Sequence, residues 1–250
     1  MCAQHLLCVT GIACAWLLAQ ANAWAFGSGV RVWLPESITT TAPAIDRLFY
    51  TVLAITSVVF VLVQATLLIF LIRYRHRPGH RAAYTHGNNL IEIIWTVIPA
   101  GILVFLAMYS QRVWSQVRGT PPPPDLEVEI TAEQFAWNIR YAGPDGQFNT
   151  TDDITTINQL HLPVHQTVLI DLKSKDVIHS FFVPQFRMKQ DTVPGLTGHM
   201  WISATKTGNF EIACAELCGL GHYRMRGALT IESPEAFQAW LIKTRKEQES

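Results

Sequence analysis

The chain carries no net charge: 19 lysines and arginines balance 19 aspartates and glutamates in 250 residues. No basic face is implied, which excludes a nucleic-acid partner. The run Cys-x-x-Cys-His occurs nowhere, so covalent haem attachment is excluded too. Cysteine is scarce. Of five, Cys2, Cys8 and Cys14 crowd the N-terminus, and only Cys214 and Cys218 lie beyond it. Charged residues are absent from residues 48–72 and 93–111. Each run is about long enough to cross a hydrocarbon core, which takes roughly 20 helical residues. By itself the shorter run also fits a buried soluble helix.

Acidic residues are missing between the two runs. The connecting loop holds Arg73, Arg75, Arg77 and Arg81, with no acid before Glu92. Lys and Arg collect on the cytoplasmic side of membrane proteins. Residues 48–72 and 89–111 are therefore predicted as a transmembrane hairpin, with the loop 73–88 inside. Residues 26–47 and everything after the hairpin then lie outside. Residues 1–25 read as a secretory signal, with an apolar run closed by Ala21-Asn-Ala23, an A-x-A cleavage pattern. Its n-region lacks Lys and Arg, and an uncleaved third membrane helix is the alternative. Removal would leave Cys214 and Cys218 as the mature protein's thiols.

After the hairpin, residues 112–125 read as a linker stiffened by four prolines at 121–124. Residues 126–131 then alternate apolar and polar, as do 166–173, 199–203 and 209–214, the pattern of half-buried strands. Turn residues at Pro163, Pro194-Gly195 and Thr207-Gly208 separate them. Many short strands with regular breaks predict a sandwich or a barrel over 126–232. Ser233-Pro234 is a helix start, and Ala236, Phe237, Trp240 and Leu241 form one apolar face, so 233–250 is predicted as a C-terminal helix.

Chemistry concentrates in Cys214-Ala-Glu216-Leu-Cys218-Gly-Leu-Gly-His222-Tyr-Arg-Met225. Thiolate, imidazole and thioether form a soft ligand set of the kind that selects copper. Paired thiols in an oxidising compartment commonly close a disulfide. Structural zinc sites use further Cys or His and no Met. The added His222 and Met225 favour copper over both. A second imidazole, His179, stands upstream in His179-Ser-Phe-Phe-Val-Pro184.

The pattern H-S-F-x-x-P followed by C-x-E-x-C-x3-H-x2-M resembles subunit II of the haem–copper cytochrome c oxidases, and the resemblance runs from the first membrane helix to about residue 232. It implies a two-helix membrane hairpin followed by a periplasmic cupredoxin-like Greek-key β-barrel, in a bacterial-type inner membrane. It also implies a dinuclear copper A centre. Cys214 and Cys218 would bridge two coppers, and His179 and His222 would bind one each. Met225 and the Glu216 carbonyl would complete the pair, with the Glu216 carboxylate on a magnesium shared with subunit I. Partners would be a cytochrome c donor and oxidase subunit I, which holds the haem, together with other oxidase subunits. Glu92, in Asn88-Asn-Leu-Ile-Glu92, would stand at the entrance of a proton pathway. Acidic residues in a membrane are expensive and functional by default.

The chain departs from the family where electrons enter. In place of the aromatic run Gln-Trp-Tyr-Trp it reads Gln134-Phe135-Ala136-Trp137. Phe135 and Trp137 either serve the donor interface or alternate around Ala136 and fill the barrel. Asp153, Asp171, Asp176 and Asp191 are candidates for an acidic docking surface. The loop Asp145–Asp153 offers oxygen ligands for calcium, although Asp145-Gly146 is first of all a turn signal. Rival readings are a quinol-oxidising relative, a copper chaperone or mononuclear blue-copper carrier, and a membrane-anchored sensor. The complete ligand set opposes the first, the second Cys and the hairpin oppose the second, and Glu92 opposes the third.

Overall fold

The computed structural model describes residues 33–79, 81, 84 and 86–249. The signal-peptide expectation and the three N-terminal cysteines lie outside the described residues. The chain divides into residues 1–37 and 38–250. Of the first unit, residues 33–37 are described and carry no regular element.

The second unit opens with two helices, α1 (Ala42–Arg73) and α2 (Asn89–Arg118). Both are long and apolar enough to cross a membrane, and the chain itself buries none of their apolar stretch. Each exceeds its charge-free run. Helix α1 starts six residues before Leu48, with Pro43 in its first turn and the Thr39 hydroxyl accepting from the Ala42 N–H at 3.3 Å. Helix α2 is capped by Asn88, whose side chain accepts from Leu90 N and Ile91 N at 3.0 and 3.3 Å. It continues to Arg118, so residues 112–118 are helical and the linker shortens to 119–125. The reason is a stripe that charge-free length does not reveal. Val113 and Val117, four apart, are buried in a cluster with Ile45, Leu48 and Met188 even though Arg112 and Arg118 flank them. Beyond Gly119 the prolines cannot continue the helix.

Ten strands follow: β1 (Leu126–Glu133), β2 (Ala136–Tyr141), β3 (Ile154–Ile157), β4 (Gln159–Pro163), β5 (Thr167–Ser174), β6 (His179–Val183), β7 (Met188–Thr192), β8 (Gly198–Ser203), β9 (Gly208–Cys214) and β10 (Arg226–Glu232). They form two five-stranded sheets, ordered β3-β2-β1-β5-β8 and β4-β10-β9-β6-β7. β1 runs parallel to β5, and β4 parallel to β10, so the chain crosses between sheets instead of forming only hairpins. Register puts apolar residues opposite one another: Ile130 faces Ile139, and Ala132 faces Trp137. Val128, Ile130 and Ala132 of β1, Trp137, Ile139 and Tyr141 of β2, and Val168, Ile170 and Leu172 of β5 alternate inward and are buried, where they share a core with Leu160, Phe181, Ile212 and Leu229 of the other sheet. This is the sandwich form of a β barrel.

Helix α3 (Pro234–Gln248) is capped by the Ser233 hydroxyl, which accepts from Ala236 N at 3.2 Å. Phe237 is buried, and Trp240 stacks on His161 with centroids 4.0 Å apart. Arg187, at φ 60°, reaches from the β domain to α1. Its Nε donates to Asp46 Oδ1 at 2.7 Å and a terminal nitrogen donates to Oδ2 at 3.3 Å.

Candidate metal centre

The Cys-rich segment is the loop of the β9–β10 hairpin. Cys214 ends β9 and Met225 immediately precedes β10. The loop closes where Cys214 N–H donates to the Met225 carbonyl at 3.2 Å. A 3-10 turn, His222–Arg224, points His222 back across the loop. His179 arrives from the neighbouring strand because β6 pairs with β9, placing Phe181 opposite Cys214.

Six donor atoms converge. The two sulfurs lie 3.8 Å apart as free thiols. His179 Nδ1 is 4.0 Å from Cys214 Sγ, and His222 Nδ1 is 3.6 Å from Cys218 Sγ. Met225 Sδ sits 3.2 Å from His179 Nδ1 and 3.8 Å from Cys218 Sγ. The Glu216 carbonyl is 3.2 Å from Cys214 Sγ. The ligand atoms of His179, Cys214 and Cys218 all fall within 4.8 Å of one another. Thiolate–metal bonds of about 2.3 Å let two sulfurs on one ion sit up to about 4.6 Å apart. The set therefore fits a shared metal, and its two thiols, two imidazoles and thioether suit copper.

Electrostatics agree. Burial, with the neighbouring Cys214, pushes the Cys218 thiol up to about 11. Two adjacent thiolates need a cation between them to ionise together. His179 is fully buried, and its Nε2 lies 2.8 Å from Asp176 Oδ1. An ionised carboxylate only accepts, so Nε2 carries the proton and Nδ1 is left free to bind a metal. Burial opposes ionisation of Asp176, but hydrogen bonds from His179, Gln134 N and Val177 N outweigh it and hold the carboxyl below its ordinary range.

Two family descriptions match the chain: "Cytochrome C oxidase subunit II, transmembrane domain" over residues 25–113 and "Cytochrome C oxidase subunit II, periplasmic domain" over 137–232. Cytochrome c oxidase subunit 2 of Thermostichus vulcanus is 31% identical over 88% of this chain and 84% of its own length. The chain belongs to the cytochrome c oxidase subunit 2 family. The alternative cytochrome c oxidase subunit 2 of Bradyrhizobium diazoefficiens is 35% identical, covering 84% of this chain and 82% of its own. The crystal structure of the periplasmic domain of subunit II (CoxB) from Bradyrhizobium japonicum is 28% identical over 51% of this chain and 99% of that one, with a TM-score of 0.46. As a family member with two membrane-length helices, the chain is a membrane protein and a subunit of a cytochrome c oxidase.

The remaining sequence candidates separate in the structure. Trp137 is fully buried, edge-on to Phe181 and 6.3 Å from the His179 ring. It fills the barrel and offers no surface to a docked donor. Phe135 is half-buried against the ligand loop: a Cβ on Gly221 would lie 2.4 Å from its ring, and one on Gly219 3.2 Å. Glycine is needed at both positions, and Gly219 also holds φ 138°.

Each of the four candidate docking carboxylates has a partner within the chain. Asp153 lies 3.4 Å from Arg140, and Asp171 lies 2.6 Å from His199. Asp191 accepts from the Ser180 hydroxyl at 2.6 Å, and Asp176 holds His179. The ligand loop itself exposes apolar side chains, Leu220 at 98% with Leu217 and Tyr223 also open, beside the charged Glu216 and Arg224. The proposed calcium loop is organised by its own donors. Gly146 N–H donates to the Gly143 carbonyl, Asp145 accepts from Gln147 N, Asp152 from the Thr150 hydroxyl and Asp153 from Asn149 N. That is the turn reading of Asp145-Gly146. Glu92 lies in the first turn of α2, some 26 residues from its far end, or about 39 Å along the axis.

Proposed function

We propose that this chain accepts electrons from a reduced cytochrome c and passes them to haem in oxidase subunit I, where oxygen is reduced to water with proton translocation. The observation that carries this reading is the convergence of six donor atoms at one end of the sandwich, each within 4.0 Å of another. A dinuclear copper A centre bound there would supply reversible one-electron chemistry. Cys214, Cys218, His179, His222, Met225 and the Glu216 carbonyl would hold it.

The chain's own residues keep rearrangement small. Asp176 fixes the tautomer and ring plane of His179. The Cys214–Met225 backbone bond and the β6–β9 pairing hold the ligand loop to rigid strands. Phe135 covers the loop at Gly219 and Gly221 and would serve electron entry from the donor, while Trp137 packs beside His179. Leu217, Leu220 and Tyr223 form an apolar rim for a partner. The Glu216 carboxylate would meet a magnesium shared with subunit I. Glu92, at the cytoplasmic end of α2, would hold a proton at the entrance of a path into that subunit. The arginine-rich loop stays inside, which puts the N-terminus and the β domain on the periplasmic side of a bacterial-type inner membrane.

The test is metal analysis of the full chain, purified in detergent and loaded with copper, together with its visible and electron-spin spectra. Two coppers per chain with a mixed-valence signal are expected. One copper, or zinc alone, with both thiols intact overturns the assignment.

A further inference from the structure

Gln134 stands in the turn between β1 and β2, outside the residues either family description covers. It touches none of the six donor atoms, yet it is bonded to both halves of the site that holds them. Its backbone N–H donates to Asp176 Oδ2 at 2.7 Å, and the other oxygen of that carboxylate holds His179 Nε2. Its side-chain Nε2 donates to the Cys218 carbonyl, 84 residues away in sequence. A Cβ on Gly219 would come 2.7 Å from the same Nε2, so the amide lies close against the loop. The Phe135 ring packs beside it over Gly219 and Gly221.

We propose that Gln134 is a positioning residue. It locks the imidazole side of the site to the thiol side and sets the aim of the Cys218 sulfur. The Cys218 carbonyl belongs to the peptide that joins Cys218 to Gly219, and Gly219 at φ 138° gives that peptide unusual freedom to rotate. Turning that peptide changes the path of the chain between Cys218 and His222, and with it the backbone that carries the Cys218 sulfur. A single donor on the carbonyl, anchored through the same residue's backbone to Asp176, removes that freedom. The Asp176 arm uses a backbone N–H and survives most substitutions, so the side-chain arm can be tested alone.

The inference rests on the copper reading, and two substitutions of conserved shape test it. Gln134→Met keeps the length and apolar stem but removes the donor. Gln134→Glu keeps the shape and sets a carboxylate against the carbonyl. Copper-loaded full chains are compared in detergent. Gln134→Met is expected to release copper to a chelator about fivefold faster, the worth of one partly exposed hydrogen bond, and to change the electron-spin hyperfine pattern. Gln134→Glu is expected to change the pattern further and to lower the reduction potential, because a nearby negative charge favours the oxidised form. An unchanged spectrum, potential and release rate in both variants overturns the proposal, even if the melting temperature falls. The metal-free chain gives an independent reading. There Gln134→Met should speed alkylation of the buried Cys218 thiol several-fold, and equal rates overturn the lock whatever metal the native chain binds. Failure of the native chain to take up copper, with the alkylation difference intact, sinks the copper reading and leaves the lock standing.

Discussion

His179 presents Nδ1 to the donor cluster because its Nε2 is tied to Asp176, 2.8 Å away. Asp176→Ala removes the acceptor and frees the ring to change tautomer. Loss of such an outer partner typically costs about 10- to 100-fold in metal affinity. Chelator competition on the copper-loaded chain should show that loss. Asp176→Asn, whose carbonyl oxygen still accepts, should lose less. Equal losses in the two would mean that the negative charge matters and the orientation does not.

The proposed dinuclear centre takes a thiolate from both cysteines. Cys214→Ser or Cys218→Ser should abolish the dinuclear signal, since a hydroxyl cannot replace a bridging thiolate. Met225 lies near His179 and Cys218 and not on the Glu216 side. Met225→Leu should therefore retain copper but make the two ions unequal, seen as a changed hyperfine splitting. A native spectrum in any of the three would remove that residue from the ligand set.

Glu92 is tested in the assembled oxidase. Glu92→Gln should slow oxygen reduction at least several-fold while copper and haem contents stay native, because the carboxyl is about 39 Å from the far end of α2. Oxygen-electrode turnover at matched haem content decides the matter, and native turnover would take Glu92 out of the mechanism.

Electron arrival is expected to depend on Phe135. Phe135→Ala strips the aromatic cover from Gly219 and Gly221 and should slow copper reduction by the physiological donor more than any later step. Activity should also be poor with a cytochrome c that requires a surface tryptophan. Stopped-flow reduction at fixed salt is the measurement, and an unaltered second-order rate would place arrival elsewhere on the surface.

Arg187 joins the β domain to α1 through Asp46, and its side chain is only 9% exposed. Asp46→Asn removes the carboxylate charge from this ion pair and should destabilise the fold by about 1–3 kcal/mol. Arg187→Gly has two opposed effects. It relieves a left-handed backbone costing about 1 kcal/mol and loses the ion pair, so the loss wins. Both variants should melt earlier by near-ultraviolet circular dichroism of the full chain. A more stable Arg187→Gly would show that the pair contributes less than the strain.

The hairpin and the chemistry were legible in the sequence because both are local. Two charge-free runs have membrane length by themselves, and five of the six donors fall between Cys214 and Met225. What the tertiary structure decided is everything that depends on strand pairing. His179 reaches the cluster from 35 residues upstream because β6 lies against β9. Gln134 and Asp176 join it because the β1–β2 turn closes over the same end of the sandwich. Trp137 and Phe135 stand two apart with an equal aromatic claim. Pleating buries the first beside His179, and the turn lays the second on the ligand loop. The four aspartates read as docking candidates each have a partner in the fold, Arg140, His199, Ser180 and His179, because composition records a carboxylate but not its partner. The helix ends escaped a charge-based reading for the same reason. Val113 and Val117 extend α2 by packing against the rest of the chain, and packing is a property of the folded molecule.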